Sequence, residues 1–246
     1  MDRMLYVAMT GARETMRAQT ANNHNLANAS TTGFRADLQA FQSRRVVGDG
    51  FESRVYATAA TTGFDATLGS LMSTGRDLDV AVQGDGYLAV QGLDGREAYT
   101  RAGDLRIDTT GQLRTGTGLA VLGDGGPISV PPHASLVIGA DGTVSIVPLG
   151  QGPETRAEVG RIKLVNPASQ DLEKGADGLL RMKNGSDAPP DATAGLASGV
   201  LESSNVNVAE AMVNMIELSR RFDMQVRAMR SAEDNGAASA RLLSMR

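Results

Sequence analysis

The chain has 246 residues, no Cys and no Trp, and only five Phe and four Tyr, so there is little bulk for one large core. Lys and Arg sum to 24 against 28 Asp and Glu, a net charge of -4 that argues against nucleic acid as a partner. The missing Cys removes disulfides, thiolate catalysis and Cys-ligated metals together.

The N-terminus does not read as a cleavable signal. After Met1-Asp2-Arg3 the apolar run from Met4 to Met9 is short, and Arg13, Glu14 and Arg17 soon introduce charge. No stretch approaches the roughly 20 apolar residues of a membrane span.

A first helix is predicted from about Arg3 to Asn28. Leu5, Met9, Ala12, Met16, Gln19, Asn23 and Leu26 recur at alternating steps of four and three. That is the narrow seam of a helix packed lengthwise on other helices. The seam turns polar at Gln19 and Asn23, and Asn22, Asn23, Asn25 and Asn28 crowd its end. Asn is a mediocre helix former, but a polar seam residue fixes register at a cost in stability.

Residues 38 to 73 are rich in Gly, Thr and Ser and read as an extended connector. From about Thr74 to Val200 the apolar residues come in short runs, such as Tyr87-Leu88-Ala89-Val90 and Val144-Ser145-Ile146. Asp-Gly pairs at 85–86, 94–95, 124–125, 141–142 and 177–178, and Asn-Gly at 184–185, separate them. Many short strands joined by tight turns predict an all-β domain, an irregular sandwich or barrel. Asp77 and Asp79, two apart on an expected strand, read as one solvated face.

Asn207 is placed to cap a second helix whose third residue is Glu210. Val208, Met212, Met215, Ser219, Phe222, Val226 and Met229 repeat the four-three rhythm without a proline. A helix reaching the chain end would span about 55 Å, longer than a compact domain requires. The fold expected is therefore α+β: a central all-β domain (74–200) flanked by long coiled-coil-type helices at 1–37 and 201–246, with the connector at 38–73. Two terminal seams that one β-domain cannot cover point to assembly.

Nothing in the sequence assembles a reaction centre. Gly84-Asp85-Gly86 and Gly116-Thr117-Gly118 begin a dinucleotide loop but neither completes it. His24 and His133 lie in different elements, with no metal spacing and no nucleophile beside them. No catalytic residue, cofactor, metal or small-molecule substrate is expected.

Four stretches carry a family resemblance. Asn25-Leu26-Ala27-Asn28-Ala29-Ser30-Thr31-Thr32-Gly33-Phe34-Arg35 resembles the N-terminal signature of bacterial flagellar rod and hook proteins, A-N-N-L-A-N-x-x-T-x-G-F-K. Thr74 to Tyr87 resembles the opening of that family's β-domain, and Tyr99-Thr100-Arg101-Ala102-Gly103 its Y-T-R-x-G. Ser204-Asn205-Val206-Asn207, followed by Glu210, Met212, Val213, Met215 and Ile216, is similar to its S-N-V-D-x-x-E-E-M-V-N-M-I block. His24, Arg35 and Asn207 depart from the pattern, standing where Asn, Lys and Asp are usual.

The resemblance implies a non-enzymatic subunit of the periplasmic rod, exported by the flagellar type III apparatus without a cleaved signal. Its partners would be proximal and distal rod subunits and further copies of itself. Terminal helices would form an inner tube, with Leu5, Met9, Met16, Asn23, Asn25, Leu26, Asn28, Met212, Met215, Phe222, Val226 and Met229 at its contacts. The amides would fix register between neighbours. Gly33 would stop the first helix, Phe34 would anchor the turn, and Asn207 with Glu210 would start the second. Two rivals stay open. One is another axial subunit of the family, such as the distal rod protein. The other is a wall hydrolase on the β-domain, which demands a paired acid and base in a cleft.

Overall fold

The computed structural model describes residues 2–45, 55–152 and 155–244. Among them are two α-helices, α1 (Asp2–Ala27) and α2 (Val208–Ser244), with a mostly β region between. The chain divides into two compact units. One holds Met1–Ala29, Ala36–Asp65 and Val206–Arg246; the other holds Ser30–Arg35 and Ala66–Asn205.

In the first unit α1 and α2 pack on each other. α2 begins where the Asn207 side-chain oxygen accepts the backbone N–H groups of Ala209 and Glu210, at 3.1 and 3.3 Å. Those donors have no partner within the helix. In the same unit, part of the 38–73 stretch expected as an extended connector is paired as strands. Asp37–Arg45 pairs antiparallel with Val55–Phe64, with a register shift between Leu38 and Gln39. Ala57 to Thr62 lack the apolar alternation that marks a half-buried strand, but backbone pairing does not need it. Residues 46–54 of that stretch lie outside the described residues.

The second unit is a set of small antiparallel sheets. The largest has five strands in the order Leu164–Val165, Tyr87–Gln91, Glu97–Thr100, Leu180–Met182, Leu172–Lys174. A meander of His133–Ile138, Thr143–Pro148 and Ala157–Arg161 forms a second. Val80–Gln83 pairs with Gly195–Ser198, and Leu71–Ser73 with Val200–Glu202. This last pair draws residues before Thr74 into the unit. Leu88, Leu113, Val121, Val144, Ile162 and Leu196 are buried in its core.

The Asp-Gly turns have a local cause. Asp94, Asp141 and Asp177 each accept the backbone N–H two residues on, at 3.2, 3.1 and 3.2 Å, the side-chain turn that Asp favours. Asp79 does not lie on a solvated face as expected. The strand starts one residue later, at Val80, and Asp79 is buried opposite Asp104, with Arg76 at 3.4 Å.

Candidate functional site

On α1 the buried stripe lies beside the one that size and hydrophobicity select, whereas on α2 it shares Met215, Phe222 and Met229 with the expected seam. On α1 the buried residues of the stripe are Ala8, Ala12, Thr15 and Ala18, with Gly11 and Asn22 half-buried in line with them. On α2 they are Ala211 and Leu218, with Met215, Phe222, Gln225 and Met229 half-buried. Both stripes run at steps of three and four. On α1 the intrachain stripe lies about one residue away from the expected seam, and its side chains are small.

The large apolar residues of the expected seams are consequently exposed in the free chain. Leu5, Met9 and Met16 on α1 and Val208 and Met212 on α2 all face solvent, joined by Met4, Tyr6, Val213, Ile216 and Met224. Met215, Phe222, Val226 and Met229 are half-buried, as is Leu26. Each helix thus has two longitudinal faces. The face used within the chain is small on α1 and carries Leu218, Met215 and Phe222 on α2; the other face of each is apolar and uncovered.

The asparagine cluster is the second feature. Asn22 Nδ2 donates to the Ala211 carbonyl at 2.8 Å, in the first turn of α2. Asn25 meets both backbone groups of Asp37: Nδ2 donates to its carbonyl at 3.0 Å and Oδ1 accepts its N–H at 2.7 Å. In effect Asn25 pairs with the first strand as another strand would. His24 Nδ1 lies 2.6 Å from Asp37 Oδ2, and Asn28 Nδ2 donates to the His24 carbonyl at 2.9 Å. Asn23 is exposed. The amides of Asn22, Asn25 and Asn28 therefore bond backbone of their own chain, where a role between neighbouring subunits was expected.

The third feature belongs to the β unit. Gly33 has φ +66, and a Cβ there would lie 2.2 Å from the Arg101 carbonyl carbon. Only glycine fits both the left-handed backbone and the close approach. Its N–H donates to the Glu202 carbonyl at 2.8 Å. Phe34 is buried, with Lys174 Nζ 3.9 Å from its ring centre, and Lys174 also donates to the Arg35 carbonyl at 2.6 Å.

Arg35 and Arg101 then converge on Glu202, at 2.7 and 2.9 Å, and Gly69 N–H adds a third donor at 2.8 Å. Glu202 is 1% exposed and each arginine 3%. Arg101 also donates to the Gly84 carbonyl and lies over the Tyr87 ring, 5.3 Å from its centre. Sequence reasoning missed Glu202 entirely and gave Arg35 and Arg101 no partner. The one signal available was that both arginines sit inside motifs, close to glycines.

Among the described residues no three His, Asp or Glu side chains gather as metal ligands. A groove of about 560 Å³ in the β unit contains Glu97, Lys163 and Asp191. There Lys163 is held by both Glu97 oxygens at 2.8 Å. Asp191 accepts from Thr193, which holds its carboxyl below the usual range. Glu97 and Lys163 thus pair with each other, and Asp191 with Thr193. Among the described residues no helix is long and apolar enough to cross a membrane.

Comparison with known proteins supplies the class. Residues 81–146 match the flagellar hook protein FlgE/F/G D1 domain, and residues 197–242 match the flagellar basal body rod FlgEFG protein C-terminal domain. The chain is 45% identical over 251 residues to the flagellar basal-body rod protein FlgF of Escherichia coli, covering 100% of both chains. It is 44% identical over 251 residues to the Salmonella typhimurium FlgF, again covering 100% of both. To the flagellar basal-body rod protein FlgG of Bacillus subtilis it is 32% identical, over 94% of this chain and 96% of the other. A β unit held between two terminal helices, with these matches, defines a flagellar axial-type chain. More particularly, it belongs to the flagellar basal-body rod protein family, with its full-length likeness to FlgF.

Proposed function

We propose that this chain is a structural subunit of the flagellar basal-body rod, in its proximal part, and carries torque without catalysing a reaction. The observation that carries this reading is the uncovered apolar face on both terminal helices, Leu5, Met9 and Met16 with Val208, Met212 and Ile216. Monomeric proteins rarely expose contiguous apolar patches of this kind. Coiled-coil packing of those faces against neighbouring copies and other rod subunits covers them. The small sheets of the β unit form the outward part as an irregular sandwich or barrel. The subunit reaches the periplasm through the flagellar export apparatus.

The test is a pair of charge substitutions on that face, Met9→Glu and Met212→Glu. Both positions are exposed, so monomer stability should change by no more than about 0.5 kcal/mol. Burial of the unpaired carboxylate in an assembled rod is strongly unfavourable. Each variant should be secreted at the parental level yet be missing from purified basal bodies. Parental swimming by both variants would refute the proposal. Labelling the subunit in imaged basal bodies separates a proximal from a distal position.

A further inference from the structure

An Ala- and Gly-rich seam has a weakness that large side chains would not have. Ala8, Gly11, Thr15 and Ala18 present an almost smooth surface to α2. A slip of seven residues would bring Thr15, Ala18 and Asn22 to the levels of Ala8, Gly11 and Thr15, again without a bulky apolar knob. It would also displace the outward apolar face by about 10 Å along the axis. Something other than knob shape has to select the register.

We infer that Asn22 and the Gly11–Gln225 pair set the register of α1 on α2, and with it the position of the outward face. Asn22 Nδ2 reads a backbone carbonyl, that of Ala211, at 2.8 Å. A seven-residue slip removes this bond from a half-buried amide. Gln225 lies directly on Gly11, where an added Cβ would come within 2.9 Å of the Gln225 carboxamide carbon. One heptad along α1 the residue is Ala18, whose Cβ obliges the flexible Gln225 carboxamide to move aside, a small cost against the slipped register. The first contact favours the correct register, and the second disfavours the slipped one. Both lie within one chain, so the inference stands independently of the rod reading.

The chain has no Cys, so paired cysteines report the register without a background. Stepping one heptad from Gly11–Gln225 along the antiparallel pair brings Ala18 level with Leu218, both buried. Ala18→Cys with Leu218→Cys should close an intramolecular disulfide in the purified monomer under mild oxidation. Thr15→Cys with Met229→Cys, level only after the one-heptad slip that sets Ala18 against Gln225, should not. Adding Asn22→Ala and Gln225→Ala should raise the out-of-register yield roughly five- to thirtyfold, the range that one or two lost contacts produce in a two-state ratio. Helicity should hold, because Ala is the better helix former. Restoring Asn22 alone should recover part of the discrimination. If the out-of-register pair stays silent in the double variant, the inference fails. It fails equally if neither pair closes there, since the contacts would then hold the helices together and not choose between registers.

Discussion

Arg35 and Glu202 are separated by 167 positions in the chain and by 2.7 Å in space. With Arg101 on the other carboxylate oxygen, they form a buried cluster in which two guanidinium groups share one counter-charge. Replacing such a cluster by apolar side chains can be neutral, but removing its single carboxylate leaves two buried cations uncompensated. Glu202→Gln should therefore cost about 3–5 kcal/mol in urea unfolding of the whole chain. A cost below about 1 kcal/mol would show that the arginines find other partners.

The same carboxyl makes the protein acid-sensitive. Burial pushes the Glu202 pKa up, but the Arg101 hydrogen bond, the Gly69 N–H and the charges of both arginines outweigh it and hold it below the usual range. A carboxyl lowered on folding adds stability above its unfolded value, near 4.3, and that stability is lost as pH falls through the folded value. The urea midpoint should drop below pH ~4. The drop should be shallower in Glu202→Gln.

Asp104 behaves in the opposite sense. Burial, aided by the neighbouring Asp79, raises its pKa, although Arg106 and the Gly116 N–H pull it down. A carboxyl raised on folding adds stability at low pH that is lost as pH rises through its folded value. Asp104→Asn removes the penalised charge while keeping an acceptor for Gly116. It should raise the urea midpoint at pH 7, and the gain should shrink toward pH 4. An equal effect at both values would rule out titration as the cause.

Gly33 and Gly75 share a left-handed backbone, φ +66 and +70, but only Gly33 is crowded. Nothing lies within 4 Å of a Cβ built on Gly75. Gly75→Ala should cost about 1 kcal/mol, the backbone strain alone. Gly33→Ala adds a collision with the Arg101 main chain and should cost at least about 2 kcal/mol more. Thermal unfolding of the two variants separates strain from packing.

α2 is longer than the partner beside it, 37 residues against 26. Counting back from Gly11–Gln225, Asp2 lies level with Asp234. The turns from Ala237 to Ser244 therefore have no α1 residue opposite them among the described residues. Isolated helix ends of this length are marginal. Amide exchange there should run at least about tenfold faster than between Ala211 and Gln225. Uniform protection along α2 would contradict the register derived above.

Local patterns carried much of the architecture in advance, and long-range pairing carried the rest. Short apolar runs bounded by Asp-Gly announced the β unit, because each strand and turn is specified by adjacent residues. Asn207 and the unbroken run after it announced α2. The stripe that joins the helices was displaced because a search for seams rewards Leu and Met, whereas α1 buries Ala8, Ala12 and Ala18. The strand pair of 37–64 was invisible for a related reason: its ladder is built from backbone, and Ala, a helix former, interleaved with Thr, a strand former, sends conflicting local signals. Glu202 could not have been foreseen. Its partners come from positions 35, 69 and 101, and no local pattern encodes a meeting of that kind.

The β unit is entered and left at one place. Gly33 N–H donates to the Glu202 carbonyl, Asn205 N–H to the Phe34 carbonyl, and Ser203 N–H to the Ser70 carbonyl. The chain thus crosses into and out of this unit through adjacent strands clasped around a single carboxylate. In engineering terms the unit is a cassette with juxtaposed ends, the arrangement that tolerates insertion and exchange. A folded module whose termini match that spacing could be seated between Ser73 and Val200, leaving the Leu71–Ser73 and Val200–Glu202 pair and the Arg35–Glu202 contact in place. Size and chemistry on one side of the clasp are free to vary while the helical ends keep their own sequence.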